Sequence, residues 1–220
     1  MPTTTPVMQS ALTTLERVKE ELEITDSSMD SVLQRLINAA SDAIERYTGR
    51  KFARVTLTEH VPGYGSDKLT LSHTPLVEID EIRFGEANQT PSVIPSGDYQ
   101  IEDREAGFVR LLSARWRWTG FVAQGIVPHR LPGTERPIYA VDYTGGYVTP
   151  KQAEDDVTLQ RDLPYDLEDA AIMLISTRFA SRGERRDIVS ESVMSASFTY
   201  GRGEFSPEVR EILQRYRRVM

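Results

Sequence analysis

The chain has 220 residues, of which 39% are hydrophobic and 27% charged, and it carries a formal net charge of −7 and no cysteine. This composition is that of an ordinary globular protein. The absence of cysteine excludes disulfides and thiolate metal sites. The negative net charge disfavours a protein that binds nucleic acid through its phosphates. No apolar run approaches the ~18 residues of a membrane span and no signal-peptide pattern is present, so we expect no membrane partner and a protein that stays in the cytoplasm where it is made.

The first fifty residues show two helical patterns after a loose tail of about ten residues. The first is short, with Leu12, Leu15, Val18 and Leu22 on its apolar edge. The second, over 30–52, places Leu33, Leu36, Ile37, Ala40, Ile44 and Tyr47 on one face. Asp30 suits an N-cap, and Gly49 suits a left-handed C-terminal cap. We therefore predict a helical hairpin over 1–51.

From Phe52 the hydrophobic period changes from 3.6 to 2, which predicts strands. Residues 55–61 and 68–71 flank the turn-forming stretch 62–67, and we predict that they pair as a β-hairpin with a long tip. Further strands are predicted at 77–79, 82–84, 99–102, 108–112 and 137–143, with a turn at 104–107 and a loop at 119–136. The region 52–150 is thus predicted to be an antiparallel β layer inserted between helical ends.

The last part, 151–220, returns to helical patterns. An acidic connector is predicted at 154–156, and the helix that follows, 164–182, is apolar almost all round and should be buried on more than one side. Residues 206–208 begin a final helix whose apolar face carries Val209, Ile212, Leu213 and Tyr216. The predicted fold is α+β, a bundle of about four helices with an inserted antiparallel β region, in one compact domain.

Four segments, taken in chain order, carry a resemblance to a known protein family. They are LINAASDAIERYTGRKF at 36–52, VDYTGGYVTP at 141–150, LPYDLEDA at 163–170, and ESV at 191–193 continuing to Tyr200. They resemble the head-to-tail connector (adaptor) proteins of long-tailed bacteriophages. The resemblance implies a structural virion protein, assembled in the host cytoplasm into a ring of about twelve subunits below the portal. It also implies contacts with the portal protein and with the next neck or tail component, a stopper or tail terminator. DNA would pass through the channel without specific binding.

Candidate catalytic and metal-binding residues are few. The acidic clusters 102–105 and 154–156 could supply metal-binding or acid–base carboxylates, but a turn and a connector favour solvated loops. The three histidines, His60, His73 and His129, lack ligand spacing, and the serines between 190 and 197 have no histidine nearby in sequence. We therefore predict no enzyme, no catalytic residue, no metal and no cofactor. A hydrolase with a site at the β layer remains a remote alternative.

The segment Arg115–Trp118 alternates basic and aromatic residues, a pattern that suits a phosphate backbone and stacked bases. It supports the alternative function, a nucleic-acid-binding module. We favour a structural interpretation, in which the tryptophans of a strand pack on a helix and the arginines face solvent.

The only positive segment is 201–220, where Arg210, Arg215, Arg217 and Arg218 surround Tyr216. These residues could complement the helix dipole or dock an acidic partner, and with the resemblance we predict that they bind the portal. We also predict that the polar stretch 187–203 is an arm that becomes ordered against a neighbouring subunit, with Phe198 and Tyr200 as its anchors.

Overall fold

The computed structural model describes residues 6–218 except 64, 86–91, 113–114, 117–137, 183–189, 194–195 and 200–204. The chain forms two compact units, Met1–Ala53 with Tyr147–Met220, and Arg54–Gly146. The described residues contain five α-helices and nine short β-strands in antiparallel sheets, which confirms the predicted α+β class. The division at 51 and 150 within one compact domain stays a prediction.

The first unit contains all five described helices. They are α1 (Leu15–Glu21), α2 (Asp30–Thr48), α3 (Pro150–Asp155), α4 (Tyr165–Ala180) and α5 (Pro207–Tyr216). The apolar stripe predicted on α2 is buried, with Tyr47 partly so. Helix α4 contacts α1, α2 and α5, as its all-round apolar sequence predicts. No helix among these described residues is long and apolar enough to cross a membrane.

The ends of α2 differ in how well local rules predict them. Gly49 is the C-cap with φ of 67°, and its N–H donates to Glu45 O at 2.9 Å, as predicted for a left-handed cap. The N-cap is Met29 rather than Asp30. Asp30 is the first helical residue, and its carboxylate lies 2.8 Å from Lys19 Nζ. The carboxylate therefore pairs with α1 and does not cap α2.

Two expectations in this unit are wrong. Residues 6–10 are not a loose tail, because the Asn38 amide accepts from Met8 N and donates to Pro6 O, both at 2.9 Å. Residues 1–5 lie outside the described range. The acidic residues Glu154 and Asp155 belong to α3, which begins with a capping box between Thr149 and Gln152.

The described residues of the second unit form seven strands, β1 (Val55–Pro62), β2 (Lys68–Thr70), β3 (Leu76–Gly85), β4 (Ser92–Ile94), β5 (Tyr99–Asp103), β6 (Phe108–Leu111) and β7 (Ile138–Gly145). One sheet has the order β1-β7-β3-β4 and another the order β2-β6-β5. The core of this unit is formed by Val61, Leu69, Leu71, Leu76, Ile82, Val109, Trp116, Tyr139, Val141 and Tyr143. Strand β7 is thus central, because it lies between β1 and β3.

The predicted hairpin between 55–61 and 68–71 does not form. Strand β1 pairs with β7, from Val55 opposite Gly145 to Pro62 opposite Ile138, and β2 pairs with β6. Turn residues can be recognised locally, whereas the partner of a strand depends on burial across long sequence separations. The predicted pair on either side of the 104–107 turn does form, as β5 and β6.

A last pair of strands belongs to the first unit. Strands β8 (Ser190–Val193) and β9 (Ala196–Thr199) pair antiparallel and form a two-stranded sheet. Phe198 lies in β9, and Tyr200 lies outside the described residues. The loop predicted at 119–136 also falls outside them.

Candidate docking surface at the C-terminal helix

Helix α5 is fixed to the helical unit by its apolar face. The Ser206 hydroxyl accepts from Val209 N at 3.3 Å, and Pro207 occupies the first turn, so the helix begins where the sequence predicts. Val209 and Leu213 are buried, whereas Arg210 is exposed. The helix therefore presents a polar face that its own packing leaves in solvent.

Tyr216 is part of the contact within the subunit. Its hydroxyl donates to Asp166 Oδ1 at 2.5 Å, and its ring meets the Phe52 ring edge-on at 6.2 Å between centroids. Burial, and then the hydrogen bond to Asp166, raise the pKa of Tyr216 above its usual range. The hydroxyl therefore already has a partner in α4, and a role of Tyr216 at the centre of a portal contact stays a prediction.

The four predicted arginines occupy two places. Arg210 and Arg215 are on α5 itself, and the Arg215 guanidinium lies 3.8 Å from both Asp166 and Glu211. Arg217 and Arg218 follow the helix and lie against the end of α2. The Arg217 guanidinium is 6.0 Å from the centre of the Tyr47 ring, and Arg218 N donates to Thr48 O at 2.9 Å.

The end of α2 adds further basic residues at the same place. Arg46, Arg50 and Lys51, with Asp42, Glu45 and Gly49, line a surface depression of about 320 Å³. A Cβ on Gly49 would lie 4.0 Å from Arg218 Cβ, which brings this depression next to the C-terminal segment. We call Arg46, Arg50, Lys51, Arg217 and Arg218 together the basic surface.

Arg46, Arg50 and Lys51 were not singled out from the sequence, because it could not show that Arg217 and Arg218 lie against the end of α2. The one available signal was that both segments are rich in arginine and lysine, and nothing in the sequence shows that they meet. Lys51 Nζ lies 2.5 Å from the buried carboxylate of Glu45, so part of the positive charge is neutralised within the subunit. The basic surface keeps a net positive balance even when Asp42 and Glu45 are counted.

Trp116 is a core residue of the second unit. It is fully buried, its indole N–H lies within hydrogen-bonding distance of Asp67 O at 3.1 Å and Val109 O at 3.2 Å, and its ring meets Tyr139 edge-on. It therefore cannot stack on a nucleic-acid base. It is not in a strand and packs within the β core rather than on a helix, so that detail of the structural interpretation is wrong. Arg115 is exposed, and residues 117 and 118 are outside the described part.

The acidic clusters have structural partners. Glu102 lies 2.6 Å from Lys68 Nζ, and the Asp103 carboxylate accepts from Ala106 N at 2.9 Å. Lys151 Nζ lies within 3.1 Å of both Glu154 and Asp155. In the part of the chain that the structure describes, no group of three or more His, Asp or Glu could hold a metal ion. His129 lies outside that part.

The molecule thus presents surfaces: a basic end built by α2 and the C-terminal segment, and the edges of small antiparallel sheets. Surfaces of these two kinds are ones through which proteins bind other chains. Residues 11–219 match the family model of the head completion protein, and the chain belongs to this family. It is therefore a structural virion protein of the head–tail connector type, located at the head–tail interface.

Solved structures of similar fold come from gene transfer agent (GTA) particles. A chain from the neck of an empty GTA particle, computed with C6 symmetry, is 17% identical with a TM-score of 0.59, over 98% of this chain and 94% of that one. A chain from the virion of a native GTA particle is 18% identical with a TM-score of 0.58, over 98% and 94%. A chain from the neck of a native GTA particle, computed with C12 symmetry, is 18% identical with a TM-score of 0.57, over 98% and 93%. No curated protein matches the chain.

Proposed function

We propose that this protein forms a twelve-membered ring at the head–tail joint, binds the portal on one side and the next neck component on the other, and continues the DNA channel. The observation that carries the proposal is its membership of the head completion family over 11–219. The fold shared with a chain from a neck computed with C12 symmetry supports the ring and its size.

A ring of identical subunits needs a head-to-tail interface, in which one surface of a subunit binds a different surface of the next. We propose that the arm 187–203, with Phe198 and Tyr200, forms one side of it. Within this stretch, residues 190–193 and 196–199 pair as strands β8 and β9. Contacts with the neighbour would offset the entropy lost when the arm is ordered.

The proposed channel role agrees with the charge of the chain. A formal net charge of −7 repels the phosphate backbone, so a duplex would move past the ring without being held. The role assigns no catalysis to the subunit, and the partners it requires are other proteins.

We propose that Arg210, Arg215, Arg217 and Arg218 bind acidic groups of the portal and that the Tyr216 ring packs at the centre of this contact. Each exposed charge pair contributes about 0.2–1 kcal/mol, so the arginines act as a set and no single one decides the affinity. The apolar side of α5 is already used by Val209 and Leu213 inside the subunit. The polar side is therefore the part left for a partner.

The test is co-sedimentation of the protein with its portal, followed by electron microscopy of the complex. We expect a ring on the portal, and we expect the Arg217→Glu/Arg218→Glu variant to bind at least about fivefold more weakly. The matched control is Arg35→Glu/Arg115→Glu, which changes the charge equally at two other exposed positions. A wild-type protein that joins neither the portal nor a ring would overturn the proposed function, and equal weakening by both variants would overturn the docking site.

A further inference from the structure

Among the described residues, strand β1 has no partner strand on its outer edge. It is the first strand of the order β1-β7-β3-β4, and its eight residues all pair with β7 in an unbroken register. Thr56, Thr58 and His60 are exposed. On the side away from β7, every second residue of such a strand presents an N–H and a C=O that can accept another strand.

The other outer strands of these two sheets are poorer acceptors. Strands β2 and β4 have three residues each, and the register of β5 with β6 shifts between Ile101 and Asp103. Short edge strands and bulges are the usual means by which proteins block further pairing. Strand β1 has neither, it contains no lysine, and its one proline, Pro62, is its last residue.

The β8–β9 sheet is likewise joined by no third strand among the described residues. Strands β8 and β9 have four residues each and form a sheet of only two strands in the described chain. An isolated two-stranded hairpin is marginally stable in water, and it gains stability when a further strand joins it. In the described part of the chain, one unit therefore has a long acceptor edge and the other has a short sheet of only two strands.

We propose that the β8–β9 sheet of one subunit adds, through β9, to the outer edge of β1 in the next subunit, extending the four-stranded sheet across the subunit boundary. The proposal rests on the proposed ring and names the surface that receives the arm. The two surfaces differ, so each subunit gives its sheet to one neighbour and receives one from the other. This is the head-to-tail geometry that closes into a ring.

Backbone pairing also explains how a polar, serine-rich segment can form such an interface. In strand addition, main-chain hydrogen bonds supply much of the affinity, and large apolar side chains are not required. The sequence SESV and ASFT of the two strands offers few such side chains.

Disulfide trapping tests the contact, because the chain contains no cysteine of its own. The two test variants combine Ser197→Cys in β9 with Thr58→Cys or His60→Cys in β1, and they are oxidised in assembled necks. We expect a ladder of covalent oligomers beyond the dimer, because every subunit both gives and receives a strand. When subunits that carry only Ser197→Cys are mixed with subunits that carry only the β1 cysteine, we expect dimers only, because each subunit can then form a single disulfide.

The control pairs Ser197→Cys with Val93→Cys, an exposed position on β4 at the opposite edge of the same sheet. It should give at least about tenfold less cross-linked product, because disulfides require Cα atoms within roughly 7 Å. Cross-linking no greater than in this control, in necks that do contain rings, would overturn the strand-addition contact and leave the proposed function standing. Absence of the ring itself would overturn both.

Hydrogen exchange on the unmodified protein gives an independent measurement. In the ring, the amides of β1 that do not bond to β7 should become protected, and those of β4 should not change. Unchanged exchange along β1 would contradict the proposal whatever the cysteine variants do. Protection of β1 without cross-linking to β9 would also contradict it, because another chain would then occupy the edge.

Discussion

Glu168 is a buried carboxylate that holds separate parts of the helical unit together. It lies 2.6 Å from Arg161 Nη2 and 3.1 Å from Arg17 Nη1, and it accepts from the Thr13 hydroxyl at 3.2 Å. Burial raises the pKa of Glu168, while the two guanidinium groups oppose the rise. The residue thus fastens α1 and the segment before α4 to α4. From sequence it could be assigned only to the dipole of α4, because its partners are distant along the chain.

We predict that Glu168→Leu lowers the free energy of unfolding by about 3–5 kcal/mol, because Arg161 is left buried without its carboxylate. The Arg161 side chain is only 12% exposed, so water cannot replace the lost partner fully. Urea denaturation measures the change. Glu168→Gln keeps an acceptor oxygen and should cost clearly less; equal losses in the two variants would show that the ion pair is not the cause.

The raised pKa of Glu168 predicts a pH dependence. The folded state holds the proton more tightly than the unfolded state, whose pKa is near the ordinary 4.5. The stabilisation that comes from this raised pKa is therefore fully present below that pH and is lost as the pH rises through the folded pKa. The unfolding free energy of the wild type relative to Glu168→Gln should fall over this window. A relative stability that rises with pH would mean that the arginines outweigh burial.

Gly145, at the end of β7, is required because another part of the backbone packs closely against it. Its φ is not in the positive range that favours glycine. A Cβ there would lie 2.2 Å from the carbonyl oxygen of His73, a backbone atom that cannot move freely. We predict that Gly145→Ala costs about 1–3 kcal/mol, measured by thermal or urea unfolding. Gly97→Ala is the control, because nothing lies within 4 Å of its Cβ position. Similar losses for the two variants would argue against the clash.

At the scale of elements, the sequence predicted what is locally encoded. Helices α2 and α5 were predicted correctly because their signals are local. The apolar residues define one face of each helix, Gly49 ends α2, and Ser206 and Pro207 begin α5, all within one or two turns. The pairing of β1 with β7 was not found, because residues 63–137 separate the two strands and the 62–67 turn suggested a nearer partner. The position of Arg217 and Arg218 against the end of α2 was missed for the same reason. The candidate surface was therefore predicted in part, from its C-terminal half alone.

Helix α5 gives an element-scale prediction through Tyr216. Tyr216→Phe removes the hydroxyl that donates to Asp166 but keeps the ring beside Phe52. It should lower the unfolding free energy by about 1 kcal/mol or somewhat more, because the hydrogen bond has a charged acceptor. Portal affinity should change little, since the hydroxyl is engaged inside the subunit. Chemical denaturation and co-sedimentation on the same preparation measure both quantities; lost portal binding with unchanged stability would place the hydroxyl in the partner contact.

At the scale of the whole molecule, the proposed portal contact and the proposed subunit–subunit contact differ in how far they depend on charge. The chain is acidic overall, with a formal net charge of −7, while the basic surface gathers five cationic side chains from two segments far apart in sequence. The proposed portal contact depends on four exposed arginines, of which Arg217 and Arg218 belong to this surface. The proposed subunit contact depends on backbone hydrogen bonds between strands, which carry no net charge.

These contacts should therefore respond differently to salt. The Debye length falls from about 10 Å at 0.1 M to about 3 Å at 1 M, so interactions between exposed charges are largely screened at the higher concentration. We expect portal affinity to fall over this range, and to fall less for Arg217→Glu/Arg218→Glu, which has already lost part of the attraction. The subunit–subunit association should change much less.

Sedimentation of the ring alone and of the ring with portal, over a salt series, measures both associations. Arg35→Glu/Arg115→Glu separates a local effect from net charge, because it makes the same total change away from the basic surface. Its portal affinity should keep the salt dependence of the wild type. If portal binding is insensitive to salt, or if both double variants lose the dependence equally, then the basic surface does not bind the portal, and the contact must be sought on the β unit.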